Sequence, residues 1–382
     1  MSKSGAAPTG LRVLIAGGGV AALETMLALR ALAEERVDIE LLVPEPYFWY
    51  RPLATAAPFQ PVDGEHFDIA SMADEASVGF KIGSLVSVDV EGCIARTSAG
   101  ADLAYDALVL AIGARPEAVV GGAFTFRGPA DVEGYLRVLS DVEAGTLREL
   151  IFAVPGAAVW PLPAYELALQ TATHLAKRHR LKAKLAIVTP EERPLRLFGQ
   201  RASEEVGRVL AGRGIVLYCG HHPAAADERG LRLVPGGTIP CDRVIAVPRL
   251  RGQPIEGIPR NGDGFVPVDG FGRVRGVPDV YAAGDMTTFP VKQGGVAAQQ
   301  ADAVAGMIAA RAGAPVRPEP FQPVLRAILL TGETPLYLRG EPVAGYTKES
   351  LAESEPLWWP PAKIAGHYLA PFLAERRLRV PI

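Results

Sequence analysis

The feature that most constrains this chain is Gly17-x-Gly19-x-x-Ala22. It lies between a short aliphatic run, Leu11 to Ala16, and a stretch from Val20 to Leu32 whose apolar residues, rich in Ala and Leu, take helical spacing. The order is strand, tight turn, helix. Val37 to Val43 then reads as a second strand, giving a βαβ unit of about thirty residues, the minimum for a parallel crossover. A doubly wound sheet is the natural host for such a unit. At its turn, bare backbone N–H groups stand at the positive end of a helix dipole, and a side chain at Gly17 or Gly19 would keep a diphosphate from reaching them. Gly17, Gly18, Gly19, Val20, Ala21 and Ala22 are therefore the expected dinucleotide cradle. Glu45, following the second strand in Val43-Pro44-Glu45, is the candidate acceptor for ribose hydroxyls, with a solvated loop carboxylate as the competing reading.

A chain of 382 residues exceeds what one hydrophobic core usually serves, so two or three domains are expected. Hydrophobic residues at 49%, charged residues at 21% and a net charge of −3 without long single-sign blocks describe a globular protein with no electrostatic reason to bind nucleic acid. Met1 to Gly10 lacks the charged start and apolar run of a secretory signal, and no apolar stretch of about eighteen residues occurs, so a cytoplasmic location is expected. The three cysteines, Cys93, Cys219 and Cys241, are far apart and indicate neither a disulfide framework nor a zinc site. His221-His222 would point to opposite faces of a strand with no third ligand, so no metal is expected.

Further along, Val78 to Val90 and Cys93 to Thr97 read as strands of an inserted or flanking sheet. Asp106 to Ala111 reads as an aliphatic strand stopping at Ile112-Gly113-Ala114-Arg115-Pro116. A second unit opens with Leu150 to Val154, passes a proline-broken turn to a helix from about Ala164 to Arg178, and returns as Ala183 to Val188. A helix over Val206 to Gly212 and strands at Ile215 to Tyr218, Leu231 to Val234 and Arg243 to Val247 follow. Arg249 to Gly264 is the expected domain crossing. Val277 to Ala283 then forms a strand ending at Gly284-Asp285, and Gly295 to Arg311 a helix. Strands at Ile328 to Leu330, Leu336 to Arg339 and Glu341 to Tyr346 and a helix from near Pro361 complete the tail. The implied division is 1–116, 117–262, 263–314 and 315–382.

LVLAIGARP, Leu108 to Pro116, and VYAAGDM, Val280 to Met286, standing after the glycine turn in the correct order, resemble the further FAD contacts of the pyridine nucleotide-disulfide oxidoreductase superfamily. The resemblance implies an α/β protein with two Rossmann-like dinucleotide-binding domains, the FAD domain discontinuous, and a small C-terminal α+β region. It assigns Val86, Ala111, Ile112, Gly113 and Gly284 to the cofactor and Asp285 to a ribityl hydroxyl. VKQGGVAAQQAD, Val291 to Asp302, and PYFWYRPL, Pro46 to Leu53, resemble the sulfide:quinone oxidoreductase and type II NADH dehydrogenase branch. There the helix N-terminus lies beside the flavin pyrimidine ring, so Lys292 and Gln293 are expected next to it and Arg51 at the flavin edge. An ammonium at Lys292 would stabilise negative charge on the reduced ring and raise its potential, a surface lysine being the alternative.

The departures from that branch decide the chemistry. Sulfide-oxidising members work through thiolates beside the flavin. Here no cysteine occurs between Gly113 and Tyr218 and none follows Cys241, and the family position in the second turn falls near Trp160-Pro161. Trp160 and Lys292 are thus the candidate catalytic residues. The second turn, Pro155-Gly156-Ala157-Ala158-Val159-Trp160, has one glycine, and Pro155, Pro161 and Pro163 remove N–H donors. Glu166 nevertheless matches a glutamate of nicotinamide-binding relatives, so NAD(P)H binding stays open. If it binds, Glu191 or Glu192 would accept the ribose, and Arg193 and Arg196 would favour a phosphate, against the alternative of solvated loop charges. Trp358-Trp359-Pro360-Pro361 with Ile364, Tyr368, Leu369, Phe372 and Leu373 offers an apolar face followed by Arg376, Arg377 and Arg379. Packing on the flavin domain or a second subunit, as in a homodimer, is favoured over peripheral docking at the inner face of a membrane, because Pro371 interrupts the helix. The expected activity carries electrons from a small-molecule donor, NAD(P)H among the candidates, through FAD to a quinone or other small acceptor. A sulfide:quinone-type reductase with an unrecognised thiol and a non-catalytic flavin redox sensor are the alternatives.

Overall fold

The computed structural model describes residues 10–61, 66–156, 160–179, 183–343 and 346–376. Leu11–Ala16 is the middle strand of a five-stranded parallel sheet, flanked by Val37–Val43 and then Gly79–Ile82 on one side, and by Ala107–Leu110 and then Val280–Ala282 on the other. Both faces of the central strand are buried. Val13 and Ile15 pack with helix α1 (Val20–Ala33), while Leu14 and Ala16 join a separate cluster with Leu85, Val88, Tyr105 and Ile258. Burial on both faces is why the central strand reads as an unbroken aliphatic run rather than an alternating one. Gly79–Ile82 belongs to this parallel sheet and not to a flanking one, whereas Leu85–Asp89, Ile94–Thr97 and Asp102–Ala104 do form the small antiparallel sheet beside it. A short helix, α2 (Ile69–Glu75), leads into the edge strand; its N-cap Asp68 accepts from the Ser71 N–H at 2.7 Å.

A second five-stranded parallel sheet runs in the order Phe124–Thr125, Arg243–Ala246, Glu149–Ala153, Lys184–Val188, Val216–Tyr218. Helices α3 (Val132–Glu143), α4 (Leu162–Lys177) and α5 (Gln200–Gly212) accompany it. Every residue of α4 from Ala164 to Thr173 is buried, because the C-terminal sheet of Leu325–Leu329, Leu336–Val343 and Tyr346–Glu353 closes over it. The sequence reading divides the last two strands differently, placing a break after Arg339, where a register shift falls between Gly340 and Pro342 within one continuous strand.

The two sheets are joined by an antiparallel ribbon, Ala114–Glu117 against Arg249–Gly252, so the expected crossing is ordered strand, with Arg249 and Arg251 both bonded to Glu117. Helix α6 (Gly294–Arg311) returns the chain to the first sheet and packs along α1. The last helix, α7 (Leu369–Glu375), begins eight residues later than Pro361. Pro371 does not interrupt it: it falls in the first turn, where its missing N–H breaks no bond. Among the described residues no helix is long and apolar enough to cross a membrane. Arg377, Arg379, the turn residues Ala157 to Val159 and the segment Met1 to Thr9 lie outside the described residues.

Candidate flavin site

The three glycines of the first turn serve different ends. Gly17 has φ +134°, and a Cβ there would fall 2.2 Å from the Ala111 carbonyl oxygen, so this glycine is required by the crossing of two strand ends whatever binds. Its N–H donates to Leu42 O at 2.8 Å. Gly18 faces Val43 and Ile69. Gly19 alone has open space where a Cβ would be, and it caps α1 without a side-chain hydrogen bond, leaving the N–H groups of the first turn, from Val20 to Ala22, facing that space. Ala111 is pinned by its N–H to Ala16 O at 2.8 Å, Ile112 O accepts from Gln253 Nε2 at 3.0 Å, and Gly113 also has free space at its Cβ position. Glu45 is exposed just past the second strand. The Val86 side chain, 44% exposed on the flanking sheet, points to solvent.

The second motif converges on the same place. The Ala283 N–H donates to Leu110 O at 3.0 Å, and the Gly284 N–H to Gln300 Oε1 at 2.7 Å. A Cβ at Gly284 would meet those of Ala21 and Ala297 at 3.0 and 3.4 Å, so glycine lets this loop pass into the seam between α1 and α6. Asp285 is delivered at that seam. Burial raises its pKa, opposed first by Lys292 and then by the exposed Arg51, so the structure gathers these three expected residues into one electrostatic unit. Lys292 is 5% exposed, donates to the Thr287 carbonyl, and holds Nζ 4.0 Å from the centre of the Phe265 ring. Burial pushes its pKa down to about 8, with Asp285 pulling the other way. Gln293 Oε1 accepts from the Val296 N–H at 2.9 Å and its Nε2 donates to Arg326 O at 2.9 Å, so the side chain caps α6 and ties it to the C-terminal sheet.

Trp160 is half-buried and meets Phe198 edge-on at 5.9 Å, a packing role in the core of the second unit. Glu166 is not open to a nicotinamide. It is 1% exposed, with Oε1 accepting from Lys363 Nζ at 2.6 Å and the Leu330 N–H at 3.1 Å, and Oε2 accepting from the Thr55 hydroxyl at 2.8 Å. Burial lowers the Lys363 pKa, against the pull of Glu166. Glu191 accepts from the Tyr165 hydroxyl at 2.8 Å, Thr189 Oγ1 at 3.0 Å and the Arg196 N–H at 3.2 Å, and burial raises its pKa; Glu192 is exposed. The cysteines are free and half-buried, and burial raises the thiol pKa of Cys219 and lifts that of Cys241 to about 11.

Sequence reasoning misses a second buried cluster. Glu24 on α1 accepts from the Tyr368 and Leu369 N–H groups at 2.7 and 2.8 Å, and Asp302 on α6 lies against it. Burial, then the charge of Glu24, raises the Asp302 pKa to about 8. A buried helix face on which Glu24 is the single charged residue is the available signal. Ile364, Leu369 and Leu373 of the tail join the α1 core, while Trp359 remains 87% exposed.

Comparison with curated protein sequences gives no match. Among solved structures, the chain is similar to the sulfide:quinone oxidoreductase of the hyperthermophilic bacterium Aquifex aeolicus, with a TM-score of 0.79 at 19% identity over 90% of this chain and 87% of that one. It is also similar to a ferredoxin reductase from Rhodopseudomonas palustris, TM-score 0.64 at 22% identity over 86% and 82%, and to NDH2 from Plasmodium falciparum, TM-score 0.59 at 16% identity over 73% and 64%. These similarities show a fold of two Rossmann-like units. The family described as Pyridine nucleotide-disulphide oxidoreductase matches residues 11–302, which contain the glycine turn, the Gly113 stop, the Asp285 loop and the start of α6, and the chain belongs to that family, with FAD as the implied cofactor.

Proposed function

We propose that this chain is an FAD-dependent oxidoreductase in which electrons pass from a reduced donor to a quinone or another small acceptor, with no side-chain nucleophile taking part. The observation that carries the reading is the buried Lys292 cation beside Asp285, at the N-terminal end of α6 and across the α1–α6 seam from the open Gly19 turn. The residues fit the cofactor: the space at Gly19 and the uncapped α1 terminus suit a diphosphate, Asp285 suits a sugar-alcohol hydroxyl, and Lys292 with the α6 dipole suits the pyrimidine end. Bound there, the flavin supplies a ring that accepts a hydride or an electron pair from one substrate and gives it to another. Lys292 holds positive charge against the site, and as pH rises through about 8 that charge is lost, so an alkaline decline in turnover is expected.

Two observations bear on the donor. Glu166 and Glu191, two of the three carboxylates expected to serve a nicotinamide nucleotide, are engaged inside the protein while Glu192 is exposed, and Pro161 and Pro163 thin the N–H donors at the start of α4, which together favour a donor that reaches the flavin without the second unit. The raised thiol pKa values of Cys219 and Cys241 disfavour sulfide chemistry, since a thiolate is the attacking species. Anaerobic mixing of the FAD-loaded protein with NADH, NADPH, sulfide and a quinol in turn, followed by flavin absorbance, tests the assignment. Rapid bleaching by the quinol or by a pyridine nucleotide supports an electron-transfer enzyme; no bleaching by any donor and no turnover with a quinone panel favour a flavin-binding sensor.

A further inference from the structure

Among the described residues, the buried Lys292 ammonium lacks a full set of acceptors. Of its three N–H donors one is taken by the Thr287 carbonyl, and Asp285 contributes charge without a hydrogen bond between the two side chains. The remaining protein partner is the face of Phe265, whose electron-rich surface attracts a cation in a desolvated place more strongly than at an exposed one.

Phe265 is held from both sides. Its N–H donates to Asn261 Oδ1 at 2.9 Å, and its own carbonyl accepts from the Asn261 N–H at 2.9 Å. The next residue stitches it to the flavin loop, with the Val266 N–H on Met286 O at 2.8 Å and the Thr288 N–H on Val266 O at 2.9 Å. On the other side the ribbon between the two sheets presses against it. The Gly252 N–H donates to Asp263 O at 2.9 Å, and a Cβ at Gly252 would fall 2.0 Å from Gly264 O, immediately before Phe265. Phe265 as a whole is only 8% exposed. The backbone on both sides of Phe265 is thus held by the ribbon and by the Asp285–Lys292 loop, which sets the position from which the ring meets the cation.

We propose that Phe265 is a positioning residue for the flavin: its ring face fixes the Lys292 ammonium, and because the ribbon sets the ring, the setting of the two Rossmann-like units is felt as charge at the cofactor. This rests on the reading that Lys292 lies beside the flavin. Phe265→Leu keeps apolar bulk and removes the ring face, while Phe265→Tyr keeps the face; Phe265→Met gives the same comparison should the leucine variant fold poorly. The FAD-loaded proteins carry 13C- and 15N-labelled lysine, and Lys292 is titrated by NMR while the flavin midpoint potential is recorded against pH.

Loss of the ring face lowers the Lys292 pKa by roughly 0.4 to 1.5 units, and the tyrosine variant stays near wild type. The alkaline inflection of the flavin potential moves by the same amount. An unchanged Lys292 pKa in the leucine and methionine variants overturns the role of Phe265. A Lys292 pKa that moves while the inflection of the potential does not overturns instead the placement of Lys292 at the flavin.

Discussion

Replacing Asp302 by asparagine should stabilise the protein, and increasingly so from mildly acidic to mildly alkaline pH. The Asp302 carboxyl has a pKa raised from 3.8 to about 8, because it is buried and lies against Glu24, whose two oxygens are already taken by the Tyr368 and Leu369 N–H groups. Between roughly pH 4 and 8 the folded protein therefore holds a proton that the unfolded chain has released. The folded state binds more protons, so stability is fully present below the unfolded pKa and is lost as pH rises through the folded one, at about 1.4 kcal/mol per pH unit. The four-unit window sets a ceiling of roughly 5 kcal/mol, which any rearrangement around the pair would reduce. In the Asp302→Asn variant the side-chain amide would donate an N–H to Glu24 at every pH, as the protonated carboxyl does only below about 8. Urea unfolding of both proteins at saturating FAD, at pH 5 and pH 8, gives the comparison. A variant no more stable than wild type at pH 8, or a gap of equal size at both pH values, would refute the shared-proton argument.

Three further outcomes are expected. Lys363→Met leaves Glu166 buried without its counter-charge and should cost about 3–5 kcal/mol, seen as a fall in Tm, and Glu166→Leu in the same chain should recover much of it. Gly19→Val should give a folded protein with native circular dichroism that is purified without flavin colour, whereas Gly17→Ala, whose Cβ meets the Ala111 carbonyl, should already compromise folding. Replacing Cys93, Cys219 and Cys241 together by serine should leave the rate of anaerobic flavin reduction within about twofold of wild type; a loss beyond tenfold would restore thiol chemistry.

What can be read from sequence is what is local. The turn at Gly17 to Ala22 declares itself because strand, glycines and helix are contiguous, and the Gly284-Asp285 loop because a buried strand must stop abruptly there. Helix α3 escapes the sequence reading although Tyr135, Val138, Leu139 and Val142 carry helical spacing on one buried face; the segment follows Gly128-Pro129 and merges with a loop signal. Gly79–Ile82 is assigned to the wrong sheet because a strand's pattern does not name its neighbour. Partners brought together from distant parts of the chain are least legible. Phe265 on Lys292 and Lys363 on Glu166 are partners created by tertiary folding alone. Gln293 takes a part its sequence does not announce: glutamine stands outside the usual N-cap set, yet its Oε1 caps α6.

The Glu166–Lys363 contact spans 197 positions of chain and also gathers Thr55 and Leu330. A ribosome that has released only the segment up to α6 has made the whole glycine turn and the Asp285 loop, yet the carboxylate at the middle of α4 still lacks its cation. Because such a partner is distant in sequence, bringing it home is slow and comes late. Until the segment around Lys363 has been made, the Glu166 carboxylate, 1% exposed in the finished fold, has no counter-charge to be buried with.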